Sequence, residues 1–399
     1  MSYPIITLLP GKDVPIRAGH PWVFSQAVAT DVQTENGGLV EVRSSRGEPL
    51  GIGTRNGQTS IRIRMITRDV TEPIDATFFA TRFRALRAWK EKHLPPKTTG
   101  YRLVHAESDG IPGLIIDRYT EVFVVQLHTA GMELLRQTIV DALIEVFAPQ
   151  AIVERSDVSV RRTEGLHNEP VGVLYGKVDD AVPFLETGLT FLADVLGGQK
   201  TGFFLDQREA RARVGSLATG RRVLNLFGYS GGFSVHAAYG GARLVVTADV
   251  SRKALDLAKR NFQNNGFDAQ DEERFIFSEV DIMKALDRHD PLPHGPFDLI
   301  ICDPPAFAKS ERHLEQAVEA YTNINARCLS MLSPGGILVT SSCSGRVDPE
   351  LFRNMLRHAA GRADRKTRVL DWIGHAVDHA EALAFPEGRY LKTAIIEVV

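Results

Sequence analysis

Residues 221–266 read RRVLNLFGYSGGFSVHAAYGGARLVVTADVSRKALDLAKRNFQNNG, and the rest of the chain is placed relative to them. Val223–Leu226 is a short apolar run, as a buried parallel strand requires. It runs into the glycine-rich turn Phe227-Gly228-Tyr229-Ser230-Gly231-Gly232. A helix follows, with Phe233, Val235, Ala237 and Ala238 on its apolar side. A second apolar run, Leu244–Thr247, leads to Asp249. Another helix starts at Ser251, a favoured N-cap residue, and closes at Asn265-Gly266, a C-cap signal. Strand, glycine turn, helix, strand, acid is one half of a doubly wound α/β sheet, which takes ligands beyond the carboxyl ends of its strands.

The turn narrows the ligand. A dinucleotide site would want G-x-G-x-x-G, and a P-loop would want G-K-[ST]. G-Y-S-G-G-F is neither. Asp249, 21 residues after Gly228, stands where a carboxylate can accept from two ribose hydroxyls. A ligand with ribose but no phosphate fits better, and S-adenosyl-L-methionine is the common one. The plainer reading is a glycine turn that only packs a helix on a strand. The acid and the motifs downstream favour the ligand.

A chain of 399 residues predicts two or three domains. Hydrophobic content of 43% and charged content of 24% suit a globular protein rather than a disordered one. No apolar run reaches membrane-spanning length, so no membrane association is expected. MSYPIITLLPGKD lacks the basic and apolar regions of a signal peptide. The three cysteines, Cys302, Cys328 and Cys343, argue against a disulfide framework and for a reducing, cytoplasmic setting. A net charge of −2 advertises no polyanion binding by the whole chain, so nucleic acid would need local patches. No metal-ligand pattern stands out, and no metal is expected.

Residues 1–70 read as a small, weakly basic β domain of short alternating segments separated by Gly, Pro and Asn turns. Arg62 and Arg64 share one strand face, available to an RNA backbone or simply to solvent. Arg17-Ala-Gly-His-Pro-Trp-Val-Phe24 is turn-rich, with two aromatics more at home in a core than under a base. Residues 71–190 read as a linker, an amphipathic helix with Phe79, Phe83, Leu86 and Trp89 at helical spacing, and an α+β unit. In that unit Glu107, Asp109, Asp117 and Arg118 are expected on turns, and Met132–Phe147 as one helix. The third part, 191–399, holds the nucleotide-binding core. At its start Gln199, Lys200, Asp206, Gln207 and Arg208 surround two phenylalanines, which suggests a pocket wall.

Arg274–Ser278 reads as a third strand, followed by Asp281, which could receive an adenine amino group. Phe297–Cys302 is an apolar strand ending in Asp303-Pro304-Pro305. Proline removes donors and fixes φ, so the chain leaves the sheet there and Asp303 faces the crevice. After a helix over 313–332, the strand Ile337–Ser341 runs into Ser342-Cys343-Ser344-Gly345. Arg346, Arg353, Arg357, Arg362, Arg365, Lys366 and Arg368 make the following segment basic, as an RNA track or a solvated face.

L-N-L-F-G-Y-S-G-G-F (224–233), Asp249, D-P-P-A-F (303–307) and S-S-C-S-G (341–345) resemble the class I S-adenosylmethionine-dependent methyltransferases. More narrowly, G-Q-K-T-G-F-F-L-D-Q-R-E-A-R (198–211) and R-A-G-H-P-W-V-F (17–24) resemble the bacterial 23S rRNA cytosine-C5 methyltransferases that carry an N-terminal PUA domain. The resemblance covers essentially the whole chain. It implies a PUA domain, a central EEHEE-type domain and a Rossmann-like methyltransferase domain, and it allows a homodimer. Matched by motif, the cofactor would meet Gln199, Lys200, Phe227, Gly228, Tyr229, Asp249, Asp281 and Asp303, with Asn225, Ser230, Val250 and Ser251 beside them. Cys343 would be the nucleophile. Asp206 and Arg208 would face the substrate, Phe307 would stack the flipped base and Lys309 would contact phosphate. One departure is Ala306, where another group of RNA cytosine-C5 methyltransferases has a second cysteine that assists release.

The implied chemistry needs a thiolate. Cytosine C5 is a poor nucleophile until a thiolate adds to C6 and makes it enamine-like. Cys343 lies at a strand end in a Ser/Gly turn, whereas Cys302 and Cys328 fall at core positions. Asp303, if protonated, could bind the cytosine amino group and N3, or it could accept the C5 proton, and the residues do not choose between these. Two rivals stay open: methylation of an exocyclic amine without a covalent step, and a non-catalytic RNA-binding assembly factor.

Overall fold

The computed structural model describes residues 3–178, 181–287, 295–307 and 314–399. The chain forms two compact units. The first is Met1–Gly188 with Ala193–Leu205 and Val377–Gly388; the second is Leu189–Leu192, Asp206–Ala376 and Arg389–Val399.

Six strands open the first unit: β1 (Ile5–Leu8), β2 (Trp22–Phe24), β3 (Val28–Thr30), β4 (Leu39–Arg43), β5 (Pro49–Arg55) and β6 (Ile61–Thr67). Their order is β2-β6-β5-β4-β1-β3. The inward residues Ile6, Val23, Val40, Val42 and Ile63 close a small core, as period-two alternation requires. Arg64 departs from the solvent-or-RNA reading. It is buried and pairs with Glu164 at 2.8 Å, and a buried guanidinium is tolerated only with such a partner.

A second sheet holds β7 (Gly100–His105), β8 (Leu114–Tyr119), β9 (Val122–Leu127), β10 (Ala151–Arg155) and β11 (Val171–Gly176), in order β11-β10-β9-β8-β7. Asp117 and Arg118 therefore lie on a strand, not on a turn. Asp117 is fully buried, with the Arg102 guanidinium on it at 2.6 and 3.0 Å and the Thr201 hydroxyl at 2.6 Å. The helix Ala76–His93 buries Phe79 and Phe83 as its spacing predicts, but Trp89 stays exposed and stacks on His93. Residues 130–147 form two helices, Ala130–Leu134 and Arg136–Phe147, rather than one.

Burial, with the charges of Arg102 and Arg161, lowers the His128 imidazole to about 4. Its unfolded value is near 6.5, so the unfolded chain binds the extra proton between these values. This contribution to stability is full above pH 6.5 and is lost as pH falls toward 4. Urea unfolding at pH 7 and pH 5 should show wild type losing about 2 kcal/mol more than His128→Asn.

β12 (Val182–Glu186) and β13 (Leu189–Ala193) follow at the passage of the chain into the second unit. That unit is built on β14 (Arg222–Leu226), β15 (Leu244–Asp249), β16 (Phe275–Glu279), β17 (Phe297–Cys302), β18 (Leu332–Ser342), β19 (Thr367–Ile373) and β20 (Lys392–Val398). Their order is β16-β15-β14-β17-β18-β20-β19. The first five in that order run parallel, and β20 is antiparallel to both of its neighbours. β18 starts at Leu332, ahead of the expected Ile337, runs through Pro334-Gly335-Gly336, and shifts register against β17. The segment read as basic, 346–368, forms the helix Pro349–Arg362 and the start of β19. In that segment Arg362 pairs with Glu319, Arg368 with Glu397, and Arg353 lies over Trp372. Strand order reverses between β14 and β17, the switch point where such sheets open a crevice.

Candidate active site

Register aligns the strand ends at that crevice. Leu226 lies opposite Ala248 on one side and Cys302 on the other, and Cys302 lies opposite Thr340. The next residues along β15, β14 and β17 are Asp249, Phe227 and Asp303, and β18 continues to Ser342 and Cys343. One edge therefore carries an acid, a glycine turn, a second acid and a thiol.

The turn is held in a demanding backbone shape. Phe227 and Tyr229 have φ of 58° and 45°, the left-handed region that L-residues adopt only when their surroundings impose it. A Cβ on Gly228 would sit 2.6 Å from Thr247 Cγ2, so only glycine fits. The Asp249 carboxylate fastens the turn: Oδ2 accepts from Tyr229 N and Oδ1 from Ser251 N, both at 2.8 Å. An ionised carboxylate has about four acceptor positions, so lone pairs remain for a ligand. Asn225 Oδ1 and Ser230 Oγ are buried with no hydrogen-bond partner among the described residues. Val250 is exposed beside them, and the Ser251 side chain caps the next helix at Ala254 N.

The cysteines differ sharply. A hydrogen bond with Cys328, then burial, pushes the Cys302 thiol well above its ordinary value, which makes it unreactive. Cys328 is also buried, while Cys343 is half-buried at the mouth of the crevice. Phe307 packs its ring 4.7 Å from that of Tyr321, a residue the sequence reading missed. Burial pushes the Tyr321 hydroxyl up to about 12, and the charges of Cys343 and Asp303 act in the same direction. Lys392, also missed, is buried and donates to the carbonyls of Ser344, Val347 and Tyr390. Burial lowers its ammonium to about 8, against the charges of Cys343 and Asp348.

Asp281 accepts from Lys284 N at 3.2 Å and pairs with Lys284 Nζ at 2.9 Å, which holds its carboxyl below the ordinary value. It thus acts locally as a helix-start acid. Asp206 and Arg208 are buried, and Asp206 accepts the Tyr390 hydroxyl at 2.7 Å. Gln199 and Lys200 are exposed in the first unit, with Lys200 in the left-handed region at φ 51° and its Nζ over the Phe204 ring. Lys309 lies outside the described residues. Among the described residues no helix is long and apolar enough to cross a membrane, and no acidic, His or Cys cluster could hold a metal ion.

Residues 128–370 match the profile of the S-adenosylmethionine-dependent methyltransferases, and residues 6–68 that of a PUA-like domain. Ribosomal RNA large subunit methyltransferase I of Aliivibrio fischeri is 41% identical over 398 residues, covering 99% of both chains. The protein of that name from Vibrio cholerae is 41% identical over 393 residues, covering 98% of both. The chain belongs to this methyltransferase family. Among solved structures, a protein from Streptococcus mutans described as a SAM-dependent methyltransferase superposes with a TM-score of 0.81 at 24% identity, over 99% of this chain and 100% of that one. A second, complexed with SAH, gives 0.82 at 24% identity over 100% of both chains. These two carry the fold alone. The expected architecture, a Rossmann-like methyltransferase domain behind a PUA-like domain, stands. The cofactor is S-adenosylmethionine, and the site suits it: a glycine cradle that a Cβ would fill, an acid with acceptor positions left, and two buried polar atoms awaiting partners.

Proposed function

We propose that this methyltransferase forms 5-methylcytidine in 23S rRNA through a covalent adduct between Cys343 and cytosine C6. The carrying observation is the position of Cys343, the one cysteine not sealed in the core, at the end of β18 beside Asp303. The names of the relatives support large-subunit rRNA as the substrate. The separate sheets support domain boundaries near residues 70 and 190.

Bound S-adenosylmethionine supplies the methyl group as a sulfonium electrophile. Asn225, Phe227, Gly228, Tyr229, Ser230 and Asp249 hold it, with Asp249 accepting from the ribose hydroxyls. The roles of Gln199 and Lys200 rest on their motif, and calorimetry of Lys200→Ala tests them separately. The Cys343 thiolate attacks C6, and the C5–C6 π electrons make C5 nucleophilic. Asp303 binds the cytosine amino edge or accepts the C5 proton after transfer. Loss of that proton re-forms the C5–C6 double bond and expels the thiolate. Phe307, braced by Tyr321, offers a face for the flipped base.

The test is incubation with methyl-labelled cofactor and unmodified 23S rRNA, with the product nucleoside identified by mass spectrometry. 5-Methylcytidine supports the reading. A methylated exocyclic amine replaces it with direct transfer, and no methylation with intact cofactor binding favours an assembly factor.

A further inference from the structure

Lys392 is a buried ammonium with an unusual set of partners. Its three donors go to the carbonyls of Ser344 (2.7 Å), Val347 (2.5 Å) and Tyr390 (2.8 Å). Among the described residues no carboxylate lies within ion-pairing distance of it. Three carbonyl dipoles satisfy its hydrogen bonds but supply no negative charge, and the charges that act on it are those of Cys343 first and Asp348 second.

The position of this cation is specific. β20 pairs antiparallel with β18, and Lys392 lies opposite Ser342, the residue before Cys343. Two of its three acceptors, Ser344 and Val347, belong to the loop that leaves Cys343. Among the described residues, charged and titratable groups on the elements about the thiol include Asp303 at the end of β17, Tyr321 on the helix Leu314–Met331, Arg346 and Asp348 on the loop after Cys343, and Lys392. The buried Tyr321 stays neutral, its hydroxyl pushed up to about 12 by burial. The Asp348 carboxylate is engaged at the next helix, accepting from Leu351 N at 2.7 Å.

We propose that Lys392 is the counter-ion of the Cys343 thiolate, anchoring the Ser344–Val347 loop and holding the nucleophile ionised for attack. This rests on the reading of Cys343 as the nucleophile. Lys392 keeps its proton throughout: the sulfur–C6 bond forms and breaks above it, and the C5 proton goes elsewhere. It is a positioning residue that acts through Cys343. At neutral pH it remains mostly protonated, and the thiolate's own charge favours that state.

Alkylation by iodoacetamide, followed by intact mass as a function of pH, reads this directly, because Cys302 and Cys328 are buried and Cys343 is not. Wild-type Cys343 should titrate below the ordinary thiol value of about 8.5. In Lys392→Met the midpoint should rise by about one unit, so the rate at pH 7 falls roughly tenfold while the plateau at high pH holds. Lys392→Arg, which keeps the charge, should retain a lowered midpoint. A merely structural lysine would change the melting temperature or the plateau and leave the midpoint in place. A wild-type midpoint at or above about 8.5, or one unmoved in Lys392→Met, overturns the proposal, and the wild-type value decides even if the variant does not fold. Methyl transfer by Cys343→Ala is a separate readout: activity there removes the covalent reading and leaves the ion pair to be judged by alkylation alone.

Discussion

Cys343→Ala should lower methyl transfer to 23S rRNA by on the order of 10⁴-fold or more, while cofactor affinity stays within about twofold. A loss of that size is about 5.5 kcal/mol of barrier, the cost of leaving C5 unactivated. Neither other cysteine replaces the thiol, since Cys328 is buried and Cys302 is sealed in the sheet and raised by Cys328 and burial. The cofactor should be indifferent because the turn and Asp249 are fastened to each other, by bonds to Tyr229 N and Ser251 N that the substitution does not touch. The substitution removes one half-buried sulfur atom, so stability should change by no more than about 1 kcal/mol. Initial rates with labelled cofactor, beside calorimetric titration of the same variant, separate these effects. Retention of a tenth or more of wild-type activity would sink the covalent mechanism.

Asp249→Asn should weaken S-adenosylmethionine binding about 100-fold. The carboxylate uses one oxygen for Tyr229 N and the other for Ser251 N. An amide puts an N–H donor against one of those backbone donors, so the turn loses a fastening whichever way it flips. The change also removes the proposed charge-assisted bonds to ribose hydroxyls, each worth about 1.5–3 kcal/mol. A net loss near 3 kcal/mol corresponds to the stated factor. Asp281→Asn is the control, because that acid is exposed and spent on Lys284, and its affinity should stay within about threefold. Equal binding by wild type and Asp249→Asn would mean that Asp249 serves the turn alone and the ribose lies elsewhere.

The ligand edge was legible in the sequence for local reasons. Strands buried on both faces leave unbroken apolar runs, so β14, β15 and β17 announce themselves. A turn pressed against Thr247 tolerates only glycine, and Pro304 and Pro305 end β17 wherever the rest of the chain goes. β8 was not legible. Asp117 and Arg118 look like turn residues until Arg102 and Thr201 are brought to Asp117, and a charged strand can be buried only once that partner exists. Arg64 is the same case, explained by Glu164 far along the chain.

By itself, then, the sequence determined the β–turn–β–acid core, the capped helices beside it, the break at Asp303 and the buried state of Cys302 and Cys328. Each follows from neighbours within a few residues, through propensity, pattern or backbone restriction. The tertiary structure alone decided which charges are buried and paired, that Lys392 is bonded to the loop after Cys343, and that Tyr321 packs on Phe307. Those facts depend on the antiparallel register of β18 with β20 and on helix packing, which join residues far apart in the chain and leave no periodic trace along it.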